Sequence, residues 1–157
     1  VARTVTRPLL VERIAPPDAD GAVVKEHLSA VLFATDFSEN ARRAFEFLPR
    51  LKGATQAVDL LHVRHGDSDA TDARDRLADL AAEVDREMGI EAGINVREGD
   101  PVDEIIAEEE RVGATTTLLG TRGRSRLRRL LLGSVSESIV ARGNNNVLLV
   151  PPAGGHR

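Results

Sequence analysis

The sequence predicts a three-layer α/β fold, a mostly parallel five-stranded sheet with helices on both faces. Three observations lead there. β-favouring apolar runs alternate with amphipathic helical repeats along most of the chain. The five runs are separated by helices or by connections long enough to cross over. The run "AVLFAT" (30–35) is apolar without alternation, as a strand covered on both faces must be.

The elements follow in order. After the 30–35 strand, Ser38 can cap a helix that carries Ala41, Ala44, Phe45 and Leu48 on one face, and Pro49 ends or kinks it. "AVDLLHV" (57–63) is the second strand. Leu77, Leu80, Ala81, Val84 and Met88 then recur at helical spacing up to a stop at Gly89. "INVREG" (94–99) is the third strand. Asp100 and Pro101 read as N-cap and first helical residue of a helix presenting Val102, Ile105, Ile106 and Val112, closed by Gly113. "TTTLLG" (115–120) is the fourth strand. Ser134–Arg142 is the last helix, stopped by Gly143, and "VLLV" (147–150) the fifth strand.

Composition narrows the function classes. At 157 residues and 41% hydrophobic content the chain can bury one sizeable core. The absence of cysteine excludes disulfides, thiolate catalysis and zinc–sulfur sites. A net charge of −4 with four aromatics, all Phe, argues against a nucleic-acid partner. No apolar run is long enough to cross a bilayer and no secretion signal opens the chain, which therefore reads as cytoplasmic. As a fragment, it would lie on the cytoplasmic face of a membrane protein.

An internal echo bears on domain organisation. Val1, Ala2 and Arg3 match Val140, Ala141 and Arg142, and Leu9, Leu10 and Val11 match Leu148, Leu149 and Val150, all at one offset of 139 residues. Residues 1–14 are accordingly read as the tail of a preceding homologous domain or an N-terminal strand, 15–29 as linker, 30–151 as the domain and 152–157 as a tail. A first residue that is not Met fits the same expectation of a tandem parent.

In open parallel sheets ligands sit beyond the carboxyl ends of the strands, where strand order reverses. Two segments of unusual chemistry fall at such ends, "ATDFS" (34–38) and "GTRGRSRLRRLLLGS" (120–134). In the second, two residues separate Gly120 from Gly123, nine more separate Gly123 from Gly133, and Ser134 comes next. No Lys-Ser/Thr pair follows in Walker A register, and G-x-G-x-x-G is absent. Glycines still allow close backbone approach to an anion, and the helix start after Gly133 favours phosphate. The structural alternative is a turn followed by a capping box, Ser134-Val135-Ser136-Glu137.

These residues carry a resemblance. The G-x2-G-x9-G-S/T spacing of Gly120, Gly123, Gly133 and Ser134, followed by "VSESIV", resembles the ATP-binding branch of the universal stress protein family, over roughly residues 29–151. The resemblance implies a Rossmann-like sheet of order 3-2-1-4-5, related to the adenine nucleotide α-hydrolases, with ATP and Mg²⁺ across the switch between strands 1 and 4. Carried over, Ala34, Thr35 and Asp36 stand beside the nucleoside, with Asp36 contacting the nucleotide or its Mg²⁺. Val63 packs on adenine and Leu119 lies near the ribose. Gly120, Arg122, Gly123, Gly133, Ser134, Val135 and Ser136 wrap ribose and phosphates. It also implies pairing through the last strand (147–150), as a homodimer or with a tandem copy, or with "PLLVE" (8–12) standing in for the partner strand.

Other signals are weaker. His62 and His65 at a strand end splay apart, so "HVRHGD" is not read as a metal site. Of the loop arginines Arg122, Arg124, Arg126, Arg128 and Arg129, one or two could reach phosphate and the rest read as a solvated basic loop. Glu108, Glu109 and Glu110 read as a solvated helix face. No general base is evident, so the expectation is an ATP-binding regulatory module and not an enzyme. The alternative is a non-catalytic scaffold or dimerisation domain, such as the regulatory domain of a transporter. A ligase of the adenylate-forming type is disfavoured, since its S-G-G-x-D-S loop is replaced by "ATDFS".

Overall fold

The computed structural model describes residues 7–13, 27–121 and 133–152. Its strands are β1 (Leu9–Val11), β2 (Ala30–Ala34), β3 (Ala57–Arg64), β4 (Gly93–Glu98), β5 (Thr116–Gly120) and β6 (Asn146–Val150). Its α-helices are α1 (Glu39–Phe47), α2 (Ala70–Met88), α3 (Pro101–Val112) and α4 (Ser134–Arg142), and a 3-10 turn, Leu48–Leu51, follows α1. Pro49 produces that turn, since a proline ring cannot continue the α-helical hydrogen-bond ladder.

One sheet runs in the order β1-β6-β5-β2-β3-β4. The five strands from β2 to β6 are parallel and give the expected order, with β2 as first strand. The sixth is a departure from the five expected. β1 pairs antiparallel along the outer edge of β6.

Alternating side chains divide the core into two layers. Val31, Phe33, Val58, Leu60, Leu118 and Leu148 meet Ala41, Ala44 and Phe45 of α1 and Leu77, Val84 and Met88 of α2. Leu32, Ala34, Leu61, Leu119, Val147 and Leu149 meet Val102 and Ile105 of α3 and Ile139 and Val140 of α4. Each such fully buried Leu, Val or Phe contributes about 1.5–3 kcal/mol of transfer free energy.

Two sequence expectations change. Glu108 and Glu109 are buried at 1% and 3% exposure, and Glu110 alone of the run is exposed. Their carboxylates find partners instead of water. Arg97 and Arg111 hold Glu108, and the Thr117 hydroxyl donates to Glu109 at 2.6 Å. Burial still raises the Glu109 carboxyl above its ordinary range, against the pull of Thr117 and Arg13. Burial, and then Glu108, raise Asp59 likewise. Residues 27–29, assigned to the linker, are docked: the backbone carbonyls of His27, Leu28 and Ser29 accept from Thr115, Thr55 and Gln56.

Candidate functional site

Strand order reverses between β2 and β5, so their carboxyl ends open the crevice where such sheets bind ligands. Beyond β2 the chain turns sharply through "TDFS". The Thr35 amide continues the ladder to the Leu61 carbonyl at 2.9 Å. The Thr35 hydroxyl then accepts from the Phe37 amide, and Asp36 Oδ1 from the Ser38 amide, both at 2.9 Å. This paired turn puts Phe37 at φ 60°, a left-handed conformation that a bulky residue adopts only where its surroundings impose it. Its ring lies 4.5 Å from that of His62 and under the Arg76 guanidinium at 4.1 Å. The His62 ring in turn bonds the Thr35 carbonyl at 2.8 Å. Sequence reading assigned no role to Phe37 or His62; the Thr-Asp pair before Phe37 supplies two side chains able to accept from the backbone two residues on.

Ala34, Val63, Leu119 and Val135 belong to the same apolar layer on the α3–α4 side of the sheet. Four of the anticipated residues thus lie on the same side of the sheet. Gly120 serves close packing: a Cβ there would come within 2.9 Å of the Asn40 carbonyl oxygen. Its role is to let β5 lie against the start of α1, and a side chain would wedge the two apart.

From β5 the chain reaches Thr121, whose amide bonds the Val150 carbonyl at 3.1 Å. The Gly133 amide returns to the Thr121 carbonyl, so both ends of the glycine-arginine loop are fastened at one point beside the crevice. Arg122 and Gly123, with the other loop arginines, lie outside the described residues.

Helix α4 departs from the capping-box expectation. Its N-cap is Gly133, no side chain bonds its first amides among the described residues, and Ser134 is its first helical residue. Ser134 is exposed; Val135 is half-buried. Ser136 is buried, and its hydroxyl donates to the Gly120 carbonyl at 2.8 Å, so it ties α4 to the end of β5. The first-turn amides of α4 and its positive dipole end therefore have no side-chain acceptor among the described residues. The chemistry on offer is free helix-start amides, which suit an anion, and apolar side chains of Ala34, Val63, Leu119 and Val135 on the same side of the sheet.

Comparison with known proteins agrees. The profile of the universal stress protein family matches residues 28–151. Stress response protein NhaX of Bacillus subtilis is 35% identical over 79 residues, 48% of either chain, so the chain spans about half that relative's length. Universal stress protein MJ0577 of Methanocaldococcus jannaschii is 25% identical over 69% of this chain and 67% of its own. The solved structure of MJ0577 superposes with a TM-score of 0.76 over 82% of this chain and 99% of that one. A universal stress protein structure from Archaeoglobus fulgidus is 27% identical, with a TM-score of 0.74 over 98% of this chain and 53% of that one. With the fold, the strand order and a family match over most of its length in agreement, the chain belongs to the universal stress protein family.

Proposed function

We propose that this domain is a stress-response module that binds an adenine nucleotide, ATP with Mg²⁺, and acts through occupancy without turnover. The observation that carries the reading is the start of α4: amides with no side-chain acceptor among the described residues, in a sheet whose strand order reverses between β2 and β5. Ala34, Val63, Leu119 and Val135 would take the adenosine. The amides of Ser134, Val135 and Ser136 would take phosphate oxygens, and Asp36, whose Oδ1 is turned toward the Ser38 amide, stands at the rim for Mg²⁺. Bound Mg²⁺ would supply charge neutralisation between phosphate oxygens.

Family membership supports the class of ligand. Two structures that share the fold, at 21% and 23% identity, are of universal stress proteins in complex with cAMP and with dAMP. A turnover enzyme would also need a base aimed at a water. The acidic groups placed deepest, Glu108 and Glu109, are held by Arg97, Arg111 and Thr117 and serve the α3 face.

Thermal unfolding with Mg·ATP, ADP, AMP and cAMP tests the proposal. Ligand at a hundred times its dissociation constant stabilises a folded protein by about 2.7 kcal/mol. We expect a concentration-dependent rise in melting temperature with ATP and no release of phosphate beyond the uncatalysed background. No shift with any adenine nucleotide at millimolar concentration would refute the binding function; steady phosphate release abolished by Asp36→Asn would refute the absence of turnover.

A further inference from the structure

The turn that carries Asp36 is held from the face of the sheet opposite the apolar residues proposed for adenosine. Side chains alternate along β3, so Leu60 and His62 face the α1–α2 layer while Leu61 and Val63 face the α3–α4 layer. His62 and Val63, neighbours in the chain, thus serve opposite sides.

Two contacts reach the turn from the α1–α2 side. His62 Nδ1 stands 2.8 Å from the Thr35 carbonyl. A carbonyl only accepts, so Nδ1 carries the proton and donates, in the neutral ring and the charged one alike. The Phe37 ring packs against the α1–α2 layer, 4.5 Å from the His62 ring. The Arg76 guanidinium of α2 lies over it at 4.1 Å, within the range of a cation–π contact.

Phe37 is the only non-glycine residue with positive φ among the described residues. A bulky side chain keeps that conformation only where its surroundings offset the cost. The bonds from the Phe37 amide to Thr35 Oγ1 and from the Ser38 amide to Asp36 Oδ1 close the turn on itself. Its anchors to the rest of the sheet layer are different ones: the Thr35 amide on Leu61, the Thr35 carbonyl on His62, and the Phe37 ring beside His62 and Arg76. Asp36 lies between Thr35 and Phe37, so β3 and α2 hold the residue on either side of it.

From this geometry we infer that His62 and Arg76 are positioning residues for Asp36. They act through Thr35 and Phe37, without touching the ligand, and set how firmly the Asp36 carboxylate is offered to the nucleotide. Helix α2 supplies none of the residues proposed to contact nucleotide, yet through Arg76 it governs affinity. For this consequence the inference rests on the proposed nucleotide site; the hold on the turn does not depend on it.

The test uses the full chain and has two arms. In unliganded protein, hydrogen exchange at the Phe37 and Ser38 amides reports the turn. Arg76→Gln should raise it about two- to fivefold, the size of one exposed cation–π contact, and Arg76→Lys should stay near unaltered protein. His62→Phe keeps a ring beside Phe37 and loses the donor, so exchange should rise about tenfold; His62→Asn, whose amide replaces Nδ1, should recover most of that. In the second arm, calorimetry with Mg·ATP should show affinity lowered about two- to tenfold by Arg76→Gln and His62→Phe. Asp36→Asn keeps an acceptor for the Ser38 amide, and in that background the same substitutions should cost no further affinity, because the charge they position is gone. Exchange unchanged in both variants, or equal affinity losses with and without the Asp36 carboxylate, would overturn the inference. Arg76 is exposed, so Arg76→Gln decides should His62→Phe unfold. If unaltered protein binds no nucleotide, the proposed function fails, and the exchange arm alone decides whether His62 and Arg76 hold Asp36 in place.

Discussion

Helices α3 and α4 pack together on one face of the sheet, yet they begin in opposite ways. At the start of α3, Asp100 Oδ1 accepts from the amides of Val102 and Asp103, and Pro101 removes a further donor. The positive end of that helix is answered by its own chain. At the start of α4, Gly133 has no side chain to accept, and no side-chain acceptor meets the amides of the first turn among the described residues. α1 and α2 follow α3, capped by Ser38 and Asp69. On the proposed function, the difference separates a helix end used for stability from one that takes a nucleotide phosphate. Local sequence grammar decides which: aspartate before proline in one case, glycine before serine in the other.

The largest effect should come from making α4 resemble α3. Gly133→Asp supplies a cap and a negative charge where phosphate would sit. Titration calorimetry should show Mg·ATP affinity falling about 30-fold or more, the loss of a charge-assisted hydrogen bond plus repulsion. Unliganded stability should hold or rise by a few tenths of a kcal/mol. Binding that persists would erase the proposed distinction between the two ends.

Gly120→Ala probes the wall of the same crevice. The added methyl would meet the Asn40 carbonyl at 2.9 Å, and chemical denaturation should show a loss of about 1–3 kcal/mol. The reverse exchange, Asp100→Ala, should cost about 1 kcal/mol of stability and leave nucleotide affinity unchanged.

The smallest effect concerns the inner face of α3. The folded-state Glu109 carboxyl titrates above its ordinary 4.5, so stability present with the neutral acid is lost as pH rises through that raised value. Glu109→Gln should flatten the fall in urea midpoint as pH rises above the ordinary carboxylate range, leaving the share due to Asp59.

The sequence made the parallel sheet legible because its strands are continuous apolar runs and its helices carry strong punctuation. Gly89 and Gly113 close α2 and α3 with left-handed φ of 70° and 66°, and Asp100 caps where expected. β1 could be noticed as an echo, but its register could not be read: Leu9 matches Leu148 in sequence and pairs with Leu149 in the sheet. The burial of Glu108 and Glu109 was invisible because their partners, Arg97 and Thr117, come from neighbouring strands. At the site, the choice of Ala34, Val63, Leu119 and Val135 came from the resemblance, whereas the bond from the Ser136 hydroxyl to Gly120 and the turn at Phe37 required coordinates.

The most direct test is amide NMR of the full chain titrated with Mg·ATP. The account predicts large saturable shifts at Ser134, Val135 and Ser136, with Val102 and Asp103 at the start of α3 unmoved. Shifts absent from α4 at saturating nucleotide, or equal at the two helix starts, would contradict it.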